Sequence, residues 1–258
     1  MKISVVTICW NDLAGLKLTI ESLRRQSSTD FEQIIIDGGS TDGTPEFLRT
    51  LSTPWTMRFV SEKDRGIYDA MNKGTRLANG EYVWFLNSGD QAENPEVVAR
   101  LNQELQRHPE TDLLYGTSFY ASHFGQRPVG REVTAKDFVI GMPICHQSCL
   151  YRRERLGEAP YSLEYRIISD WVLTQNFFRR GWKTHFINFP VSVFDLSGIS
   201  TQSHWRIVRE KIRYEKSLTD RAKVILLLGG KFALLATLKK VGVYDLLKRR
   251  QHREMKTP

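Results

Sequence analysis

At 258 residues, 41% hydrophobic and 26% charged, the chain has an ordinary globular composition, large enough for one α/β domain or for a domain with an appendage. Three widely spaced cysteines, an odd number, argue against a disulfide scaffold and predict free thiols in a reducing cytoplasm. The formal charge of +8 is uneven: residues 203–258 hold fifteen Lys and Arg against five Asp and Glu, which leaves residues 1–202 at −2, without the basic surface that nucleic-acid binding needs.

The N-terminal "MKISVVTICWND" is a short apolar run broken at Asn11-Asp12, with no small-residue cleavage site, so no signal peptide is expected. Residues 3–9 read as a β-strand, and Leu16, Ile20 and Leu23 recur at helical intervals behind it. Residues 31–36 form a second apolar run, closed by Asp37-Gly38-Gly39-Ser40. A helix is expected to open at Thr44, with Thr44 as its cap and Pro45 at the first helical position. Residues 57–60 are a third strand, "GIYDAMNKGTRLANG" a third helix, and residues 82–86 a fourth strand. Asn94-Pro95-Glu96 should cap a helix that runs to about His108.

Strands alternating with helices at this rhythm predict an α/β fold with a mostly parallel central sheet covered on both faces. In such sheets ligands bind beyond the carboxyl ends of the strands. That rule brings residues 9–11, 37–40, 62–66 and 87–90 to one edge. An isolated Asn-Ser-Gly-Asp would read as a surface turn, but at the end of a buried strand beside three other polar, mostly Gly-containing ends it reads as part of a site. Beyond Asp112 the elements become shorter and β-like: "LLYGTSFY", "ICHQSCLY" and "THFINFPVSVF". Between them a helix starting near Ser169 would carry Asp170 in its first turn, where the amide dipoles favour a carboxylate.

The motifs "DGGSTDGT" (37–44), "SEKDRGIYDAMNKG" (61–74), "LNSGD" (86–90), "CHQ" (145–147) and "SDW" (169–171) resemble those of the family 2 glycosyltransferases with a GT-A fold, in the bacterial exopolysaccharide branch that includes the colanic acid enzymes. The resemblance spans most of residues 1–202, with 1–111 as the nucleotide-sugar half and 112–202 as the acceptor-side half. It implies a UDP- or GDP-linked sugar donor, a divalent Mg²⁺ or Mn²⁺ cofactor, inversion at the anomeric carbon and a polyprenyl-diphosphate-linked oligosaccharide acceptor. By position it implies nucleotide-sugar contacts from Thr7, Cys9, Asn11, Asp37, Gly39, Asp64, Arg65, Gly66, Asn72, Lys73, Asn87, Ser88 and Gly89. Asp90 would hold the metal, Asp170 would be the catalytic base, and His146, Gln147 and Trp171 would stand on the acceptor side. "FDLSGISTQSHW" (194–205) resembles a lid segment, with Gly198 as hinge, Ser200 as contact and His204 as an extra ligand. Where many relatives have two or three acids in the metal motif, this chain has Asn87, Ser88 and Gly89 before a single Asp90, so affinity for free metal should be weak.

Several of these residues have plainer readings. Asp170 also suits a helix-terminus acid, and Asp37-Gly38-Gly39 also suits a tight turn, being neither a dinucleotide fingerprint nor a P-loop. Cys145-His146-x-x-Cys149 lacks the second ligand pair that a zinc site needs. The Leu-rich stretch 224–238 is interrupted by two glycines and Lys231, too short for a spanning helix. With its flanking lysines and arginines, 203–258 predicts an amphipathic helical tail on the cytoplasmic surface of the inner membrane. Its alternative is a terminal helix packed on the domain. A nucleotidyltransferase would want a Gly-rich basic loop after the first strand, which "TICWNDLAG" does not offer; a noncatalytic nucleotide- or polysaccharide-binding protein would bind donor without turning it over.

Overall fold

The computed structural model describes residues 2–122, 125–139, 141–195, 204–215 and 217–230. The first half alternates β1 (Ile3–Cys9), α1 (Leu13–Arg24), β2 (Phe31–Asp37), α2 (Thr44–Thr50), β3 (Thr56–Ser61), α3 (Ile67–Leu77) and β4 (Tyr82–Phe85). β1 pairs in parallel with β2 and with β4, and β2 pairs in parallel with β3, giving the order β3-β2-β1-β4. Cys9 stands opposite Asp37 and Asp37 opposite Ser61, so three strand ends finish level along one edge.

Every residue of β1, β2 and β4 is buried, because both faces of the sheet are covered. Alternation sends Val6, Ile34 and Phe85 to the face packed by Tyr68 and Met71 of α3. Val5, Ile35 and Trp84 go to the opposite face, against Leu16, Ile20 and Leu23 of α1. Gly74 permits the close approach of α3: a Cβ there would lie 2.3 Å from Val6 Cγ1. One local expectation changes. Thr44 is the first residue of α2, not its cap; Gly43 takes the cap position with φ of 92°, and the Asp42 carboxylate accepts from the Thr44 N–H at 3.2 Å.

The second half contributes β5 (Gln91–Ala92), α4 (Val97–Arg107), β6 (Leu113–Ser122), β7 (Gly125–Val129), β8 (Cys149–Arg152), α5 (Arg153–Leu156), α6 (Ser169–Arg179) and β9 (Thr184–Asp195). β8 enters antiparallel between β4 and β6, β9 runs parallel to β6, and β5 and β7 add antiparallel ladders. The parallel reading thus describes the first four strands, and the acceptor-side half continues the same sheet in mixed sense.

α7 (His204–Tyr214), α8 (Leu218–Lys223) and a π-helical turn, Val224–Gly229, follow. α7 falls within the segment that the sequence assigns to the tail, yet it packs along α6: the Tyr214 ring meets Trp171 edge-on at 5.2 Å, and Arg179 pairs with Glu215 at 3.8 Å. Among the described residues no helix is long and apolar enough to cross a membrane.

Candidate active site

The four strand ends of the first half are tied to one another. Asn11, in the left-handed region at φ of 49°, donates its backbone N–H to Ser40 Oγ at 2.7 Å and accepts the Thr41 N–H on its side chain at 2.8 Å. Asp37 is fully buried; its carboxylate accepts from the Ser40 N–H at 3.2 Å and from Ser61 Oγ at 2.6 Å. Gly38 lies so close beneath Asp64 that a Cβ would sit 2.5 Å from Asp64 Oδ2, while Asp64 Oδ1 accepts the Gly66 N–H at 2.8 Å. The same Cβ would touch Trp10, an indole 67% exposed at the end of β1.

After β4 the chain turns at Asn87–Asp90 through Gly89, whose φ is 91°. Thr19 of α1 holds this turn from behind: its hydroxyl lies 3.0 Å from the Asn87 carbonyl, 2.7 Å from the Asp90 carbonyl and 3.1 Å from the Gly89 nitrogen. Ser88 donates to Asp12 Oδ2 at 2.7 Å. Asp90 is 3% exposed, with the Asn87 N–H on its Oδ2 at 3.2 Å. Asn87 Oδ1 is buried and has no hydrogen-bond partner. An unpartnered amide oxygen beside a carboxylate in one turn is a hard-oxygen donor set, which fits Mg²⁺ or Mn²⁺.

Asp170 stands in the first turn of α6 and is half-buried. Its Oδ1 accepts the Trp171 N–H at 2.8 Å and faces the Tyr68 hydroxyl at 3.0 Å; that hydroxyl also reaches the Ile167 carbonyl at 2.7 Å. Burial, reinforced by the charge of Asp170, pushes the Tyr68 phenol well above its ordinary range, so it is a neutral donor at any physiological pH. The charges of the two acids meet at Cys145. Burial raises its thiol to about 12, and the charges of both Asp90 and Asp170 contribute to that rise. Both carboxylates therefore lie within electrostatic reach of one buried sulfur.

Several expected site residues face elsewhere. Thr7 is buried two residues short of the strand end, accepting from Gln33 Nε2 at 3.2 Å inside the sheet. Cys9 is buried, with its thiol raised by desolvation. Asn72 donates to the Tyr161 carbonyl and accepts the Tyr161 N–H, both at 2.9 Å, so it clamps α3 to the loop before α6. Lys73 pairs with Glu62 at 2.7 Å and donates to the Lys63 carbonyl at 3.0 Å, bracing the loop after β3. Arg65, exposed, binds Asp69 at 3.2 Å. Trp171 is a core pin, its indole N–H shared between the Phe138 and Gly141 carbonyls at 3.0 and 3.1 Å. His146 is buried among Phe85, Tyr151 and Tyr161, its Nε2 2.8 Å from the Tyr161 hydroxyl, and burial lowers its pKa against the pull of Asp170. Gln147 accepts the Cys145 thiol proton at 3.1 Å and, on its carbonyl, the Trp84 indole N–H at 2.7 Å. Gly39 takes φ of 79° and Gly66 opens α3 at φ of 112°, so these two serve the backbone. Gly198 and Ser200 lie outside the described residues, as does the side chain of His204.

The model of the glycosyl transferase family 2 domain matches residues 4–207. The chain belongs to family 2 of the glycosyltransferases. A PGL/p-HBAD biosynthesis glycosyltransferase of Mycobacterium bovis is 33% identical over 171 residues, covering 65% of this chain and 66% of that protein. An uncharacterized glycosyltransferase of Mycobacterium tuberculosis is 41% identical over 179 residues, covering 65% of each chain. This chain therefore spans about two thirds of the length of these relatives. Among solved structures, Staphylococcus aureus TarS in complex with UDP-GlcNAc aligns with a TM-score of 0.67 at 18% identity, over 88% of this chain and 70% of that one. A mannosyltransferase of Pyrobaculum calidifontis, solved with GDP-Man and Mn²⁺, aligns with a TM-score of 0.62 at 17% identity, over all of this chain and 81% of that one. The fold of this family 2 glycosyltransferase is accordingly GT-A.

Two features of the family 2 site escape sequence reading. Trp10 lies between two expected residues but looks like one more apolar strand residue; only its exposure marks it. Lys211 of α7 is 2% exposed with its ammonium 3.9 Å from the Trp171 ring centre, and burial lowers its pKa to about 8 while the charges of Asp170 and Glu215 oppose that fall. A carboxylate–histidine cluster capable of holding a metal, Glu104, His108 and His185, lies instead where β9 begins, at the opposite end of the sheet. There Arg107 pairs with Glu104 at 2.7 Å and the two imidazoles stack at 3.9 Å.

Proposed function

We propose that this family 2 glycosyltransferase is inverting and metal-dependent, moving a sugar from a UDP- or GDP-linked donor to a lipid-linked oligosaccharide in bacterial exopolysaccharide, capsule or O-antigen synthesis. What supports the reading is that the charges of both Asp90 and Asp170 act on the buried Cys145 thiol; in it the two are the metal-type and the base-type carboxylate of one cleft. That TarS is seen with UDP-GlcNAc and the archaeal mannosyltransferase with GDP-Man and Mn²⁺ supports a nucleotide-sugar donor and a divalent ion.

In this reading the Trp10 indole offers the nucleoside a flat apolar face, and Asp64, held over Gly38, offers it an acceptor. Asp90 and the Asn87 amide oxygen would hold the cation, which when bound neutralises charge on the departing diphosphate. Asp170 takes the proton from the attacking acceptor hydroxyl, on the face of the sugar opposite the leaving group. The Trp171 N–H and the Tyr68 hydroxyl aim its Oδ1, leaving Oδ2 for that proton. Turnover of UDP-glucose, UDP-galactose, UDP-N-acetylglucosamine, GDP-mannose and GDP-fucose, each with Mn²⁺ or Mg²⁺, tests the reading. Metal-dependent release of UDP or GDP from one nucleotide class is expected; donor binding without any release would make the protein a noncatalytic binder.

The reading includes a peripheral position on the cytoplasmic membrane face, which the described part of the tail supports. Trp205, Ile225, Leu226 and Leu227 are exposed, while Arg206, Arg209, Arg213 and Lys223 bring positive charge to the same helices. Each basic residue near an anionic surface contributes about 1 kcal/mol. Flotation with phosphatidylglycerol vesicles is expected for the wild type and should fall several-fold in the Ile225→Glu, Leu226→Glu, Leu227→Glu triple variant; equal flotation of the two proteins would remove the membrane partner.

A further inference from the structure

Beyond His204 and Trp205, α7 carries none of the family motifs, yet it turns two consecutive side chains toward α6, the helix that bears Asp170, and the residues that lead into it. Glu210 accepts the backbone N–H groups of Arg166, Ile167 and Ile168 at 3.1, 3.0 and 3.3 Å. Ile168 is the cap residue of α6 and has no side-chain cap of its own, so Glu210 supplies from another element the anion that this helix start lacks. Lys211, the next residue, seats its ammonium over Trp171, whose indole is itself pinned by two carbonyls. Tyr214 and Glu215, one turn on, complete the contact through Trp171 and Arg179.

We propose that Glu210 and Lys211 are positioning residues for Asp170: Glu210 holds the residues that lead into α6, and Lys211 seats a buried ammonium against Trp171, the neighbour of Asp170. The inference rests on the reading of Asp170 as the base. Tyr68 of α3, Tyr161 of the preceding loop, and Cys145, His146 and Cys149 beside β8 are all buried and feel the Asp170 charge.

Lys211 is also expensive for the fold. Its amine titrates near 8 when folded and near 10.5 when unfolded. Between those values the unfolded chain holds a proton that the folded chain has shed, so stability rises with pH through that window, and the penalty is complete below pH 8. A side chain that weakens the fold at neutral pH while charging the surroundings of a carboxylate behaves as a functional group.

The test needs no substrate. In protein labelled at aspartate Cγ, the carbon-13 resonance of Asp170, assigned by its loss in Asp170→Asn, is titrated by NMR. Lys211→Met, or Lys211→Gln should the first fail to fold, is expected to raise the midpoint by about one pH unit, and Lys211→Arg to leave it near wild type. Melting of Lys211→Met at pH 7 should be no lower than wild type. An unmoved midpoint, or the same rise in Lys211→Arg, overturns the role of Lys211. Glu210→Ala should cost the amides of residues 166–168 about tenfold in exchange protection, and unchanged protection overturns the cap. The underlying reading fails separately: an Asp170→Asn enzyme that still turns over removes the base whatever the titration gives, whereas a dead Asp170→Asn with an unmoved midpoint removes only the clamp.

Discussion

Asp170→Asn is expected to lower kcat by about 10²–10⁴-fold, the usual range for loss of a general base, and to leave the Kd of the nucleotide sugar within about twofold. The substitution suits the question because Asn preserves the fold of the site. Its Oδ1 still accepts the Trp171 N–H and the Tyr68 hydroxyl, now made at 2.8 and 3.0 Å by the carboxylate, and the cap from Glu210 onto residues 166–168 does not involve residue 170 at all. What is lost is the second oxygen's capacity to take a proton. Tyr68→Phe gives the complementary control, removing one hydrogen bond that aims the base without removing the base, so its effect on kcat should be smaller. Donor titration by calorimetry and single-turnover transfer separate binding from chemistry. A variant that transfers sugar at the wild-type rate would assign Asp170 to the helix terminus alone, where an acid in the first turn has a sufficient structural reason.

The parts of this architecture that were legible in sequence are those governed by local rules. A run with five apolar residues in seven ends β1 at Cys9, and periods of three and four set the buried face of α1 at Leu16, Ile20 and Leu23; each statement needs only neighbours along the chain. The convergence of strand ends follows, because parallel strands joined by helices must finish on one side. The direction of β8 was not legible, since a four-residue apolar strand pairs equally well either way until its partners are known. Side-chain direction is what the motif positions do not reveal. Thr7 is two residues from the strand end and Asn72 one turn into α3, both close to the motif in sequence, yet each points inward to satisfy a buried partner, Gln33 and the Tyr161 backbone respectively. Lys211 and Glu210 were hidden for the opposite reason. In a segment with fifteen Lys and Arg, one more Glu-Lys pair looks like a solvated helix face, and only the docking of α7 on α6 turns it inward.

Asp90→Ala should abolish the metal-dependent part of donor binding while leaving the turn that carries it in place. The turn is held mainly by others: Thr19 contacts both the Asn87 and Asp90 carbonyls and Ser88 reaches Asp12, contacts that the mutation leaves in place while it removes the Asn87 N–H bond to the carboxylate at 3.2 Å. With donor at about 100 times its Kd, binding stabilises the native state by about 2.7 kcal/mol, which for a chain of this size corresponds to a rise in Tm of roughly 5–10 °C. That rise, measured with the preferred nucleotide sugar and Mn²⁺, is expected in the wild type and should shrink in Asp90→Ala to what the sugar nucleotide gives with EDTA. Asp90→Asn, which keeps an oxygen but not its charge, should lie between them. An undiminished metal-dependent rise in Asp90→Ala would move the ion elsewhere, and Glu104→Gln then decides whether Glu104, His108 and His185 hold it. The two sites predict different chemistry as well as different mutants: an oxygen-rich turn discriminates little between Mg²⁺ and Mn²⁺, whereas a pair of imidazoles with one carboxylate prefers Zn²⁺ to either.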